Sequence, residues 1–217
     1  MSPELKFHST IISATTLIIF VIWIQLTNTI SSHPIISIMA TSLISLGIYR
    51  LLALLMLSAF RKNPILKKWL LGANYMEGTW VGFFLAHDNT PRFFIETFEQ
   101  DISFLIIRGK AFKQDGTYHG AWVAENTEIN TKLGRLTYTY NADIIDNSHT
   151  NPGLAVFNFE RISKESPPHR MLGFSSDLFA PTKLKSFEEK ISDETSVSLP
   201  EALSKAKKIY SNHKDHF

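Results

Sequence analysis

Residues 109–126 read GKAFKQDGTYHGAWVAEN, and the class of the fold turns on this stretch. Two runs with a period near two flank Asp115-Gly116, and both carry the aromatic residues that suit a pleated surface. An Asp-Gly pair between such runs is a strong hairpin signal. A type I′ turn is expected, with positive φ at both central residues.

Outward from this hairpin the same rhythm continues. Strands are predicted at about 77–86, 92–99, 102–114, 119–130, 134–142, 153–161, 170–178 and 183–190. Turn chemistry separates them: HDNTP (87–91), EQD (99–101), QDGT (114–117), NTKLG (130–134), a longer loop from Asp143 to Gly153, SKESPP (163–168) and FAPT (179–182). Eight successive strands with short connections predict an up-and-down antiparallel barrel, wide enough for one small ligand. Glu96, Lys113 and Glu125 punctuate the strands, which argues against an outer-membrane barrel.

Upstream the composition changes. Residues 11–30, IISATTLIIFVIWIQLTNTI, hold no charge over about 20 residues, enough to cross roughly 30 Å of hydrocarbon. A polar turn, Ser31-Ser32-His33-Pro34, precedes a second apolar run over 35–60, so an antiparallel hairpin of transmembrane helices is expected. A signal peptide is the competing reading, but MSPELKFH sets one Lys beside one Glu and no A-x-A site follows. Arg61, Lys62, Lys67 and Lys68 follow the second run, while the turn carries no basic residue. That asymmetry puts the N-terminus and the C-terminal domain on the cytoplasmic side. Residues 61–74 read as a basic interfacial linker, with Trp69 as an anchor.

Arg50 lies about 15 Å of helix from Phe60, at a depth that costs about 2.5–3.5 kcal/mol on insertion scales. It either snorkels to an interface or faces other helices or water. Ser37, Thr41 and Ser45 recur every fourth residue, a stripe that suits either the hairpin itself or assembly between copies. The tail, 192–217, is polar. Ser198 reads as an N-cap and Pro200 falls in the first turn of a short helix. Leu199, Ala202, Leu203, Ala206, Ile209 and Tyr210 give that helix one apolar face for docking on the barrel.

Composition bounds the function. The chain has 217 residues and a net charge of +2, too mild to argue for nucleic-acid binding. Without cysteine it has no disulfide, thiolate nucleophile or cysteine-based zinc site. Its eight histidines show no H-E-x-x-H or other close metal spacing. GFSSD (173–177) is not a nucleophile elbow, and phosphate-cradling glycine loops are missing, so no enzyme is expected. Binding is the expected activity of the barrel. Trp80 lies on the first strand and Trp122 on the fourth. Tyr138 and Tyr140 share a face with Leu136, and Phe157 and Phe159 share a face of the sixth strand. Such aromatics serve packing or ligand contact. Arg108 and Lys110 alternate with Leu105, Ile107, Gly109 and Ala111. Either the cations charge the lumen, or that face is solvated and the apolar set points in. With the cations inside, a phosphate-bearing nucleobase ligand touching Trp80, Arg108, Lys110, Trp122, Asn126, Tyr138 and Tyr140 would suit the lumen.

Glu77-Gly78-Thr79-Trp80 resembles the G-x-W opening of lipocalin-like barrels, and residues 109–126 with GRLTYTY (134–140) look like the hairpins that continue it. With two transmembrane helices ahead of the barrel, the chain resembles, over about 9–191, the two-transmembrane β-barrel effectors of bacterial CBASS anti-phage systems, which are associated with CD-NTase enzymes. The resemblance implies an inner-membrane protein without a cofactor. Its cytoplasmic barrel, 75–191, would bind a cyclic dinucleotide from a partner synthase. Binding would drive homo-oligomerisation of the helices in 9–60, with Ser37, Thr41, Ser45 and Arg50 at the assembly, and the lipid bilayer would be disrupted. A tethered lipocalin-like binder of a hydrophobic ligand is the alternative.

Overall fold

A computed structural model describes residues 2–25, 34–145, 150–179 and 182–214. The expected polar turn at 31–33, the end of the first span at 26–30, Ala180-Pro181 and His33, His149 and His216 lie outside the described residues.

The chain divides into two compact units, Met1–Leu71 and Gly72–Phe217. In the first unit α1 (Pro3–Gln25) and α2 (Pro34–Lys62) are long and apolar enough to cross a membrane. A short helix, α3 (Pro64–Leu71), occupies the expected basic linker, and Asn63 caps it by accepting from the backbone N–H groups of Ile65 and Leu66 at 2.9 and 3.2 Å. The two long helices pack together, and His8 Nδ1 meets the Tyr49 hydroxyl at 2.8 Å. Along α2 the half-buried positions include Ser37, Thr41, Ser45 and Tyr49, so the small-residue stripe lies on the face that packs against α1. The Thr41 and Ser45 hydroxyls donate to the carbonyls of Ser37 and Thr41 at 2.7 and 2.8 Å, which satisfies them within the helix. Arg50 is exposed, as are Leu17, Phe20, Leu43, Leu46 and Leu54, which give the helices an apolar outer surface suited to lipid.

The second unit is a closed barrel of eight antiparallel strands in sequence order. These are β1 (Gly78–Leu85), β2 (Pro91–Gln100), β3 (Leu105–Phe112), β4 (Tyr118–Asn130), β5 (Arg135–Ile144), β6 (Asn151–Arg161), β7 (Pro168–Asp177) and β8 (Leu184–Ser192). β1 pairs with β8 and closes the ring, which leaves no free sheet edge. The third strand starts later than expected, because Asp101 Oδ1 accepts from the Ile102 N–H at 2.7 Å and residues 101–104 form the turn. The central hairpin falls where Asp115-Gly116 put it, but with a different turn. Only Gly116 has positive φ, at 94°, and Gly116 N–H donates to the Lys113 carbonyl at 2.9 Å. That is a turn followed by a glycine bulge, a longer loop than the two-residue type I′ form.

One end of the barrel is filled. Met76, Trp80, Phe98, Ile107, Leu136 and Met171 are buried there, around the start of β1. Gln100 ties the incoming chain down, accepting from Met76 N–H and donating to the Asn74 carbonyl, both at 2.7 Å. Outside the wall a helix, α4 (Leu199–His213), lays Ala202, Ala206 and Ile209 on Val81, Phe83, Phe93 and Phe187. Ser198 holds the N-cap position but its hydroxyl makes no capping bond, and Leu199 is exposed rather than part of the docked face. The cover explains why β1 and β2 are apolar on both faces: inner residues fill the barrel and outer ones pack under α4.

Candidate functional site

The other end of the barrel is hollow. A cavity of about 370 Å³ opens between the β1–β2, β3–β4, β5–β6 and β7–β8 connections. Its wall is aromatic, with Phe84, Phe94, Trp122, Tyr138, Tyr140 and Phe157, and two glycines make the room. A Cβ on Gly109 would sit 2.0 Å from the Trp122 ring, and one on Gly153 would sit 2.2 Å from the Tyr140 ring. Each glycine lies across from its aromatic and lets the ring lie flat on the backbone.

A carboxyl group forms the floor. Glu96, on β2, is fully buried, and its Oε1 accepts from Trp122 Nε1 at 2.8 Å and from the Tyr138 hydroxyl at 3.0 Å. The fully buried Glu188 on β8 is its neighbour. Burial pushes both carboxyls up from their ordinary value; for Glu188 the charge and hydrogen bond of Glu96 add to this, while hydrogen bonds to Glu188, Trp122 and Tyr138 pull Glu96 back. Glu188, pushed the further of the two, therefore keeps its proton to a higher pH than a free carboxyl does. Burial, followed by the charge of Glu96, also raises the Tyr138 phenol. Near the mouth the Tyr140 hydroxyl donates to Asp177 Oδ1 at 2.8 Å. Burial and then the Asp177 charge raise its pKa.

His87 and His119 stand at the rim. Among the described residues that line the cavity, none is Lys or Arg. A cation stands beside it: Arg92 is at the mouth end of β2, on the lumen-facing alternation of Phe94 and Glu96. Its Nη1 donates to Thr90 Oγ1 at 2.6 Å, and its buried Nε has no hydrogen-bond partner.

The structure brings together three of the residues marked in the sequence, Trp122, Tyr138 and Tyr140. Trp80 belongs to the filled end instead, stacked on Phe98 with its Nε1 donating to the Met76 carbonyl at 2.8 Å. Arg108 and Lys110 are exposed on the outer face, where Arg108 pairs with Glu99. The apolar set Leu105, Ile107, Gly109 and Ala111 takes the lumen. Asn126 is also outside, 3.4 Å from Thr139 Oγ1. A bulge between Ala124 and Asn126 turns two successive residues outward, so the alternation that runs through Trp122 and Ala124 resumes at Thr127 and Ile129. The sequence reading missed Glu96, Glu188, Asp177 and Arg92. A signal for Glu96 was present: it sits between Phe94 and Phe98 on one face of a strand, a carboxylate in an aromatic row. Among the described residues no cluster of His, Asp or Glu could hold a metal ion.

No family model matches the chain, and no curated protein matches it. A solved structure similar to it is a de novo designed fluorescence-activating β-barrel, 16% identical, covering 55% of this chain and 96% of that one at a TM-score of 0.34. That likeness is too slight to inform function. The chain is an eight-stranded closed barrel preceded by two apolar helices able to span a membrane, an architecture suited to a tethered ligand-binding domain.

Proposed function

We propose that this chain is a membrane-tethered receptor and effector: its barrel admits a cyclic dinucleotide made by a CD-NTase-type synthase, and its helices then associate and disrupt a bacterial inner membrane, ending a phage infection with the cell. The observation that carries this reading is the aromatic-walled cavity in a barrel that follows two membrane-spanning helices in one chain. Base stacking on aromatic side chains contributes about 1–3 kcal/mol per base, and Trp122, Tyr138 and Tyr140 supply such faces. The basic residues Arg61, Lys62, Lys67 and Lys68 favour a cytoplasmic barrel, the side on which a bacterial second messenger is made.

Ligand shifts assembly only to the extent that it binds the assembled form more tightly. With Ser37, Thr41 and Ser45 turned toward α1, the exposed Arg50 is the group that gains most from neighbouring helices or water. A second reading, a tethered binder of a hydrophobic ligand, is favoured by the lack of Lys and Arg among the lining residues. Vesicles holding the full chain and a trapped dye separate the two. Release on adding a cyclic dinucleotide, with a raised thermal midpoint, supports the effector. A midpoint raised only by fatty acids, without release, supports the binder.

A further inference from the structure

The cavity is polarised along its axis. At the floor Glu96 offers acceptors: Oε1 already takes two hydrogen bonds from protein donors, and the buried Oε2 has no donor but the adjoining Glu188 carboxyl. A carboxylate holds about four acceptor positions, so Glu96, which lines the cavity, keeps acceptor capacity that the protein leaves unused. At the mouth end of β2 stands Arg92, on a lumen-facing strand position, with the rim histidines His87 and His119. A phosphate driven to the floor would meet buried carboxyls and no cation. An N–H donor there would complete a hydrogen-bonding group that is otherwise left short in a low-dielectric site.

From this polarity, and resting on the receptor reading above, we infer that the ligand enters base first: a nucleobase N–H donates to Glu96 at the floor, the base lies among Trp122, Tyr138 and Tyr140, and the phosphates stay at the mouth beside Arg92. The volume agrees. About 370 Å³ is near the lower end of the range for small-molecule sites, about 300–1,000 Å³, and accommodates one base with part of its sugar. The other half of a cyclic dinucleotide therefore projects from the mouth. Glu96 is thus a specificity residue, and Arg92 a positioning residue that acts on phosphate alone.

Calorimetry on the full-length chain in detergent micelles tests this with cyclic di-GMP, cyclic di-AMP and cyclic UMP-AMP, each beside its free nucleosides. Glu96→Gln is expected to weaken the best dinucleotide and its matching nucleoside alike, by about tenfold or more. Arg92→Ala is expected to weaken only the dinucleotide and to reduce the salt dependence of its binding. On the unaltered protein, N1-methylguanosine, N6,N6-dimethyladenosine or N3-methyluridine should bind about tenfold worse than the parent nucleoside, a readout that survives if Glu96→Gln does not fold. A dinucleotide that binds tightly while neither Glu96→Gln nor base methylation matters overturns the base-first orientation and leaves the receptor reading standing. Nucleosides that bind while every cyclic dinucleotide fails overturn the receptor reading and leave the floor's role standing. Binding by none of these compounds overturns both.

Discussion

Gly109 lies under the Trp122 ring so closely that a Cβ would approach its Cε2 to 2.0 Å. Gly109→Ala is therefore expected to push Trp122 off Glu96, destabilise the barrel by about 1–3 kcal/mol and narrow the cavity, with both effects readable in urea midpoints and ligand affinity. The carboxyl pair gives a pH prediction. The folded state holds a proton on Glu188 above its ordinary value of 4.5, where the unfolded chain has released it. Stability from this source is then full below about 4.5 and declines as pH rises toward the elevated folded value. Glu188→Gln cannot ionise, so its thermal midpoint should exceed that of the natural chain by more at pH 8 than at pH 4.5; an equal gap at both values would count against a proton held on Glu188. Neither residue could be ranked from the sequence. Periodicity says which side of a strand a residue takes, but not that Glu96 and Glu188, 92 positions apart, meet at one height in the barrel.

The strands were readable because period-two alternation and turn residues are local properties, and the hairpin at Asp115-Gly116 stands where they put it. The bulge after Ala124 was not readable, since an extra residue on one strand is specified by its partner across the ladder, and it carried Asn126 to the outside. The docked face of α4 was legible from its spacing at Ala202, Ala206 and Ile209, because a helix that buries one stripe repeats it every turn. Ile209→Ala should cost about 2–5 kcal/mol in a denaturant titration, the range for truncating a buried aliphatic side chain. In the membrane unit, Arg50→Leu removes a charge that opposes insertion by about 2.5–3.5 kcal/mol. The variant should insert at least as well as the natural chain yet release less dye from vesicles. Undiminished release would remove Arg50 from the proposed assembly.

At the level of the whole chain, the order of apolar helices and alternating strands already implied a membrane-anchored barrel, and sequential pairing from β1 round to β8 closes it. What the sequence could not supply was height along the barrel. Trp80 and Trp122 are both inward aromatics, yet one seals the filled end and the other walls the cavity, because β1 begins where β4 finishes. That division into a sealed end and an open end is what makes the mouth the candidate ligand site. Hydrogen exchange on the full-length chain, with and without the cyclic dinucleotide that most raises its thermal midpoint, reads the site directly. Protection should rise in peptides covering 84–96, 118–124 and 138–144 and stay level around 100–107 and 129–136. Protection confined to the outer face under α4, or none in the mouth-end strands, would contradict the account.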